Sequence, residues 1–301
     1  MEMSKRIETL GFVGLGVMGE PMCINLTKKS GLPVYATDSR PDPRKRLAEA
    51  GANPCASIVE VAENADVIFL SLPSIAEVAE VCLGKGGILG AKRRAHTVVD
   101  MSTSSVKGTR DLADKLRKEG LTLIDAPVAR MRQAAWDGTL SIMVGGSTED
   151  FDLIVPFLSH MGTDVTHCGD TGSGQVVKIL NNMVVFMTVN ALAEALAIGR
   201  RAGVEGALLF DVMSKGSADS FALRTPGLKA LVPGKFPENT FPTDYAIKDI
   251  KLALELAEQG GIDAASAALT SDLLQKTSAA GYSQNYYPAM INLIEADRKS
   301  H

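Results

Sequence analysis

Short apolar runs alternate with longer stretches of helical periodicity through the first half of the chain. Residues 7–13, 33–37, 66–72, 97–100, 121–125, 141–145 and 164–168 read as strands, several apolar throughout, as in a sheet covered on both faces. Between them, apolar positions recur every three or four residues over 17–29, 57–64, 75–83, 106–119 and 149–160, which predicts amphipathic helices. Strand and helix in turn is the pattern of a doubly wound, mostly parallel sheet. From Gly172 the strand patterns largely stop, and helices are predicted over 173–202, 205–214, 245–259, 263–280 and 288–297. The expected organisation is an α/β domain over residues 1–170 and an all-α domain over 171–301. Residues 40–43, 84–90 and the stretch after Val128 read as loops.

A helix over 173–202 would be roughly 45 Å long at 1.5 Å per residue, longer than one compact domain needs. It is expected to join the two domains. Gln175, Lys178 and Asn182 sit on one face of it, among Val, Ile, Leu, Met and Ala. A lysine there either snorkels to water or faces a cleft. The Gly172 and Gly174 start and the neighbouring Asn182 favour the cleft, so the chemistry is expected where the halves meet.

The first predicted strand runs into Gly14-Leu15-Gly16-Val17-Met18-Gly19, then a helix, a second strand and Asp38, nineteen residues beyond Gly19. Strand, GxGxxG turn, helix, strand and acid together form a dinucleotide fingerprint. Gly14 permits the tight turn, Gly16 the close approach of a pyrophosphate, and Gly19 close helix packing, with the helix N-terminus facing the phosphates. Asp38 would accept from a ribose 2′-OH and repel a 2′-phosphate, which favours NAD; Arg40 could instead accommodate that phosphate, leaving NADP open. Ser102, Thr103 and Ser104 follow another strand and are expected either to cap the next helix or to meet a ligand.

Composition narrows the class. A net charge of −4 offers no basic field for nucleic acid or an anionic membrane. Cys23, Cys55, Cys82 and Cys168 lack metal-ligand or CxxC spacing and read as reduced thiols of a cytosolic protein. Residues 1–6 leave no room for a signal peptide before the first strand, and Asn181, Asn182, Asn190 and Glu194 interrupt the most apolar helix. A soluble cytoplasmic protein is expected. His96, His160, His167 and His301 show no catalytic or ligand spacing.

Taken in order, Gly11-Phe-Val-Gly-Leu-Gly-Val-Met-Gly-Glu-Pro-Met22, Leu72-Pro73, Asp100-Met-Ser-Thr103, Asp125-Ala-Pro-Val128, Gly138-Thr-Leu-Ser-Ile-Met-Val-Gly-Gly146, Gly172-Ser-Gly-Gln-Val-Val-Lys178 with Asn181-Asn182, and Lys248-Asp249 resemble the β-hydroxyacid dehydrogenase family over nearly the whole chain. The resemblance implies a Rossmann-type doubly wound sheet and an all-α C-terminal domain joined by the long interdomain helix, in a homodimer or homotetramer. It implies Lys178 as the catalytic lysine, donating a proton during reduction and accepting one during oxidation, a role suited to a buried amine. It further implies Asn182 and Ser102 on the substrate. Cofactor contacts are expected from the glycine turn (Gly14, Leu15, Gly16, Val17, Met18, Gly19), from Asp38, Ser39 and Arg40, and from Leu72, Pro73, Thr103 and Lys248, with no metal. The activity implied is hydride transfer between NAD(P) and a small β-hydroxy acid or its semialdehyde.

One departure stands out. The family usually has Ser-Gly-Gly after Asp-Ala-Pro-Val, in a loop that holds the substrate's carboxylate, and this chain has Ala129-Arg130-Met131. The resemblance thus implies Ala129 and Arg130 on the substrate. A guanidinium there would favour planar or multi-oxygen anions, and sulfolactaldehyde reductases of the family look similar. A sulfonated aldehyde is therefore the alternative substrate. A non-catalytic NAD-binding homologue, the rival outside enzymes, would normally have lost Lys178. Imine reductases usually carry another residue at that position, and 6-phosphogluconate dehydrogenases have a much longer C-terminal domain.

Overall fold

The computed structural model describes residues 6–238 and 240–296. The chain divides into two compact units, Met1–Lys178 and Ile179–His301. The division falls inside a helix, eight residues beyond the 170/171 boundary read from the sequence. The change of pattern marks where strands stop, whereas the first turns of the next helix still pack on the sheet.

The first unit runs β1 (Leu10–Val13), α1 (Gly19–Lys29), β2 (Val34–Thr37), α2 (Pro41–Glu49), β3 (Asn53–Pro54), α3 (Ile58–Asn64), β4 (Val67–Leu70), α4 (Ile75–Leu83), β5 (Thr97–Asp100), α5 (Val106–Lys118), β6 (Thr122–Asp125), β7 (Val128–Ala129), α6 (Arg132–Asp137), β8 (Leu140–Gly145), α7 (Thr148–Leu158) and β9 (Gly162–Gly169). Helix α8 (Ser173–Arg201) begins in it. Among the described residues these strands form one sheet, ordered β3-β2-β1-β4-β5-β6-β8-β7, with β9 also paired to β8. Strands β1 to β6 are parallel, Leu10 to Val13 lying beside both Val34–Thr37 and Val67–Leu70. The chain steps outward from β1 to β2 and β3, then returns to β1's other side as β4. The carboxyl ends of β1 and β4, where the order reverses, are the usual ligand position in such sheets.

Continuous apolar strands fit burial from both sides. One face packs Leu10, Phe12, Phe69, Val99 and Ile124 under α1, α6 and α7, and the other packs Val13, Ile68, Leu70, Val98 and Leu123 under α3, α4 and α5. Phe12 and Phe69, side by side in the β1–β4 register, stack with centroids 6.3 Å apart.

Three segments read as loops hold regular structure. Arg40 to Pro43 opens α2, because Pro41 at the helix start gives up an N–H that the helix leaves unpaired anyway. The stretch after Val128 contains β7 and the short α6, which stops at left-handed Gly138. Buried Asn25 of α1 pins α6 by donating to the carbonyls of Ala135 and Trp136 at 2.9 and 3.1 Å. Within 84–90, Ile88–Gly90 forms a single 3₁₀ turn.

The second unit holds the rest of α8 with α9 (Gly206–Ser214), α10 (Thr243–Gln259), α11 (Ala265–Thr277) and α12 (Ile291–Ala296). Among the described residues α8 alone is long and apolar enough to cross a membrane. Here Phe186, Val189, Leu192, Ala193 and Leu196 from it form this unit's core instead. Phe186, Phe241 and Tyr287 pack edge-on around it, with centroids 5.0–5.9 Å apart. Pattern reading missed the wide helical coil Leu223–Leu231, whose Pro226 and Gly227 break the ordinary period. The helix expected over 263–280 ends at Thr277, and residues 278–282 form a kinked turn around Gly281. In place of 288–297, a 3₁₀ turn at Tyr287–Met290 leads into α12, and residue 297 lies outside the described residues.

Candidate active site

The three glycines after β1 have three separate jobs. Gly14 takes φ +93°, and a Cβ there would meet the Ser71 carbonyl at 2.3 Å. A Cβ on Gly19 would lie 1.9 Å from the Gly14 carbonyl, so the start of α1 can press onto the turn only without one. At Gly16 a Cβ would meet nothing within 4 Å: the turn is open on that side. The N-cap residue of α1, Met18, supplies no side-chain acceptor to its first turn. An open backbone and a helix N-terminus without a side-chain cap fit a pyrophosphate, so the residues present fit a dinucleotide. Val17 is exposed, and Leu15 is buried beneath the turn.

Asp38 closes this turn from below. Its Oδ2 accepts from the Leu15 N–H at 2.7 Å and its Oδ1 from the Arg40 backbone N–H at 2.8 Å. The Arg40 guanidinium joins both, with Nε 3.0 Å from Asp38 Oδ1 and Nη2 3.0 Å from the Leu15 carbonyl. Burial alone would push the Asp38 carboxyl up, but the bonds from Arg40 and Leu15 outweigh it and hold it below the usual range. Asp38 and Arg40, read from the sequence as competitors, are thus partners in one cluster. Ser39 between them is exposed.

A buried network links the carboxyl ends of β4, β5 and β6 to α8. The Ser102 hydroxyl accepts from the Leu72 N–H at 2.9 Å. Gln175 of α8 donates to the Ser102 carbonyl at 2.8 Å and accepts from the Ser104 N–H at 3.0 Å. Asp100 takes the Ser102 N–H at 2.9 Å and the Ser104 hydroxyl at 3.0 Å, and Asp125 takes the N–H groups of Gly172 and Gln175. Ser102 and Ser104 are therefore network members rather than helix caps; Ser105 caps α5 by accepting from Gly108. Thr103 and Leu72 are half-buried and Pro73 is exposed. Lys178, one turn beyond Gln175, is 8% exposed.

In the second unit, Asn182 donates to Asp249 at 2.7 Å and accepts from Asn181 at 3.1 Å. Lys248 lies 3.3 Å from Asp249 and 5.4 Å from the centre of the Tyr245 ring. Sequence reading gave roles to Asn182 and Lys248 and quoted Asp249 only as a motif neighbour, whereas its buried carboxylate lies against both. The adjacent Lys248-Asp249 pair was the available signal.

Arg130 has φ +85°, and among the described residues no other non-glycine has a positive φ. Its guanidinium is exposed but already partnered. Nη1 meets the Thr139 carbonyl at 2.5 Å and Thr163 at 3.2 Å, and Nη2 meets Asp164 at 2.5 Å. Ala129 is buried in the β7–β8 ladder opposite Ser141. His96 and His167 bond locally to Thr97 and Gly146, and His301 lies outside the described residues. Burial pushes the Cys55 and Cys82 thiols up to about 11 and about 12. Among the described residues no cluster of side chains could hold a metal ion.

Comparison with known proteins gives the family. The family described as the NAD binding domain of 6-phosphogluconate dehydrogenase matches residues 9–169, and the one described as NAD-binding of NADP-dependent 3-hydroxyisobutyrate dehydrogenase matches 172–294. The chain is 36% identical to 2-(hydroxymethyl)glutarate dehydrogenase of Eubacterium barkeri, covering 97% of this chain and 96% of the relative. It is 32% identical to 2-hydroxy-3-oxopropionate reductase of Escherichia coli, covering 95% and 97%. The solved structure of Mycobacterium tuberculosis 3-hydroxyisobutyrate dehydrogenase with L-serine superposes with a TM-score of 0.86 at 31% identity, over 97% of this chain and 100% of the other. The chain belongs to the β-hydroxyacid dehydrogenase family. It is an NAD(P)-dependent oxidoreductase that transfers a hydride to or from a small hydroxy acid.

Asp125 gives the network a measurable pH dependence. Burial raises its carboxyl to about 6, against the pull of the Gly172 and Gln175 N–H groups and with a further push from Asp100. The folded value lies above that of an unfolded aspartate, so the folded chain holds this proton more firmly. The stability contributed by binding that proton is complete below about pH 4 and is lost as the pH rises through about 6, where the ionised carboxylate keeps both N–H groups. In urea unfolding, the stability of wild type relative to Asp125→Asn should fall between about pH 4 and 6.5 and level off above that. A constant difference across the window would show that Asp125 does not titrate there.

Proposed function

We propose that Lys178 is the acid–base residue for reversible interconversion of a small β-hydroxy acid and its semialdehyde, with NAD the better cofactor. One observation carries this: a lysine almost wholly buried, one turn from a hydrogen-bonded network that also fixes the loops after β4 and β5. The nicotinamide, when bound, takes or supplies the hydride at the carbinol carbon. During reduction the Lys178 ammonium donates its proton to the oxygen that gains negative charge, and during oxidation the neutral amine removes that proton. Asn182, its amide held by Asp249, is assigned to the substrate, and Lys248 to the cofactor. The segment Val128–Met131, with Ser102, holds the substrate's anionic end.

Asp38 supports the preference for NAD, since a carboxylate at the ribose position repels a 2′-phosphate. We also read the protein as a soluble cytoplasmic one, in keeping with its four unpaired cysteines. A homodimer or homotetramer is the assembly proposed. Ile198, Leu208 and Val212 of the second unit stay more than half exposed and would suit a contact between copies, and a one-chain mass in light scattering would end that reading.

Lys178→Ala should lower kcat by at least about 100-fold while cofactor binding persists, the range expected for a positioned acid–base. Turnover within a few-fold of wild type would remove Lys178 from the chemistry. For the cofactor, kcat/KM should be higher with NAD than with NADP, and Asp38→Asn should narrow the gap. A wild-type preference for NADP would transfer control of the site to Arg40.

Arg130 decides the anionic end. Its pair with Asp164 is open to water on both sides and thus weakly held, so a substrate anion can compete for the fork. Arg130→Ala should raise KM by about ten- to a hundred-fold and change kcat less, because the contact acts in ground and transition states alike. Asp164→Asn should lower KM. If neither variant moves KM, the guanidinium stays with the protein and has no part in binding. Running both variants against 3-hydroxyisobutyrate and 2,3-dihydroxypropanesulfonate separates a carboxylate site from a sulfonate site, the second reading that an arginine here supports.

A further inference from the structure

Helix α7 begins in the ordinary way. Ser147 accepts from the N–H three residues on, and Asp150 returns the bond to the Ser147 N–H. Helix α8 has neither partner of its own. Its cap position is Gly172, without a side chain, and three residues on stands Gln175, whose amide is spent on Ser102 and Ser104. Both N–H groups end instead on one carboxylate from another element: Gly172 donates to Asp125 Oδ1 at 2.6 Å and Gln175 to Asp125 Oδ2 at 2.9 Å. One side chain at the end of β6 supplies both halves of the cap.

The surroundings are cut to admit it. A Cβ on Gly145 would lie 2.4 Å from Asp125 Oδ1. A Cβ on Gly174 would lie 2.8 Å from Asp125 Oδ2 and 2.3 Å from the Met143 carbonyl. The helix's positive end faces the negative charge, which favours the arrangement. Lys178 follows Gln175 by three residues on the same helix, so any shift of the first turn is carried to the lysine.

We infer that Asp125 is a positioning residue for Lys178, capping α8 from the end of β6 and thereby fixing where the lysine stands. The inference rests on the reading of Lys178 as the acid–base residue. Asp125 does not touch the reacting atoms. Asparagine in its place offers one acceptor and one N–H₂ to two N–H donors, so one bond must fail.

Four variants test this in the full-length protein: Asp125→Asn, Gly174→Ala, Ser147→Ala and Lys178→Ala. Asp125→Asn should lower kcat by about 10- to 100-fold, the cost of misplacing a reacting group by about an ångström. KM and the affinity for reduced nicotinamide, read by fluorescence, should stay within about threefold. Gly174→Ala keeps the carboxylate but pushes the first turn away, and should show the same split; it carries the test if Asp125→Asn does not fold. Ser147→Ala removes a cap of the same kind from α7 and should leave kcat unchanged. Amide exchange over residues 172–176 should quicken in Asp125→Asn. If Asp125→Asn or Gly174→Ala keeps kcat within about threefold of wild type while Lys178→Ala is inactive, Asp125 is structural only and the inference falls. Equal losses in Ser147→Ala would also overturn it, by showing general loosening. Retained turnover in Lys178→Ala would overturn the reading of Lys178, and this one with it.

Discussion

Two N–H groups meeting one buried carboxylate hold together much of what matters in the first unit. Without that junction, α8 would start with unpaired donors against the end of a buried sheet, and Asp125 would be a charge in an apolar setting. Each half offsets the other's cost: a buried charge needs hydrogen bonds, and a helix start needs acceptors. The glycines at 145 and 174 follow from the same requirement, since a side chain at either would displace the carboxylate. From there the order spreads through Gln175 to the loops after β4 and β5.

Much of this was legible beforehand because it rests on local rules. The glycine turn, Asp38 and the alternating strands are set by backbone freedom and by burial on both faces, and both leave marks on neighbouring residues. Lys178, Gln175 and Asn182 showed themselves by helical spacing. What escaped depended on distant partners. Asp125 looked like the last residue of a strand, because the helix it caps begins 48 residues later. Asp249 gave no sign of facing Asn182. Helices α2 and α6 were lost to prolines and arginines that read as loop. Arg130 could be singled out by type, but not its partner Asp164, which lies on another strand.

The second unit has a different logic. Its core is built around the later turns of α8, with aromatic rings meeting edge to face where smaller side chains would leave gaps. Within it, Asp249 gathers Asn182 and Lys248 much as Asp125 gathers the first turn of α8. In both units a buried acid organises neighbouring polar groups.

Position 130 sets side chain against backbone. An L-residue held in the left-handed region costs on the order of 1–2 kcal/mol, which a glycine would not incur. The contacts of its guanidinium with Thr139, Thr163 and Asp164 must offset that strain. Arg130→Gly would trade those anchors for an unstrained turn, and the segment between β7 and α6 would lose its side-chain ties to β9.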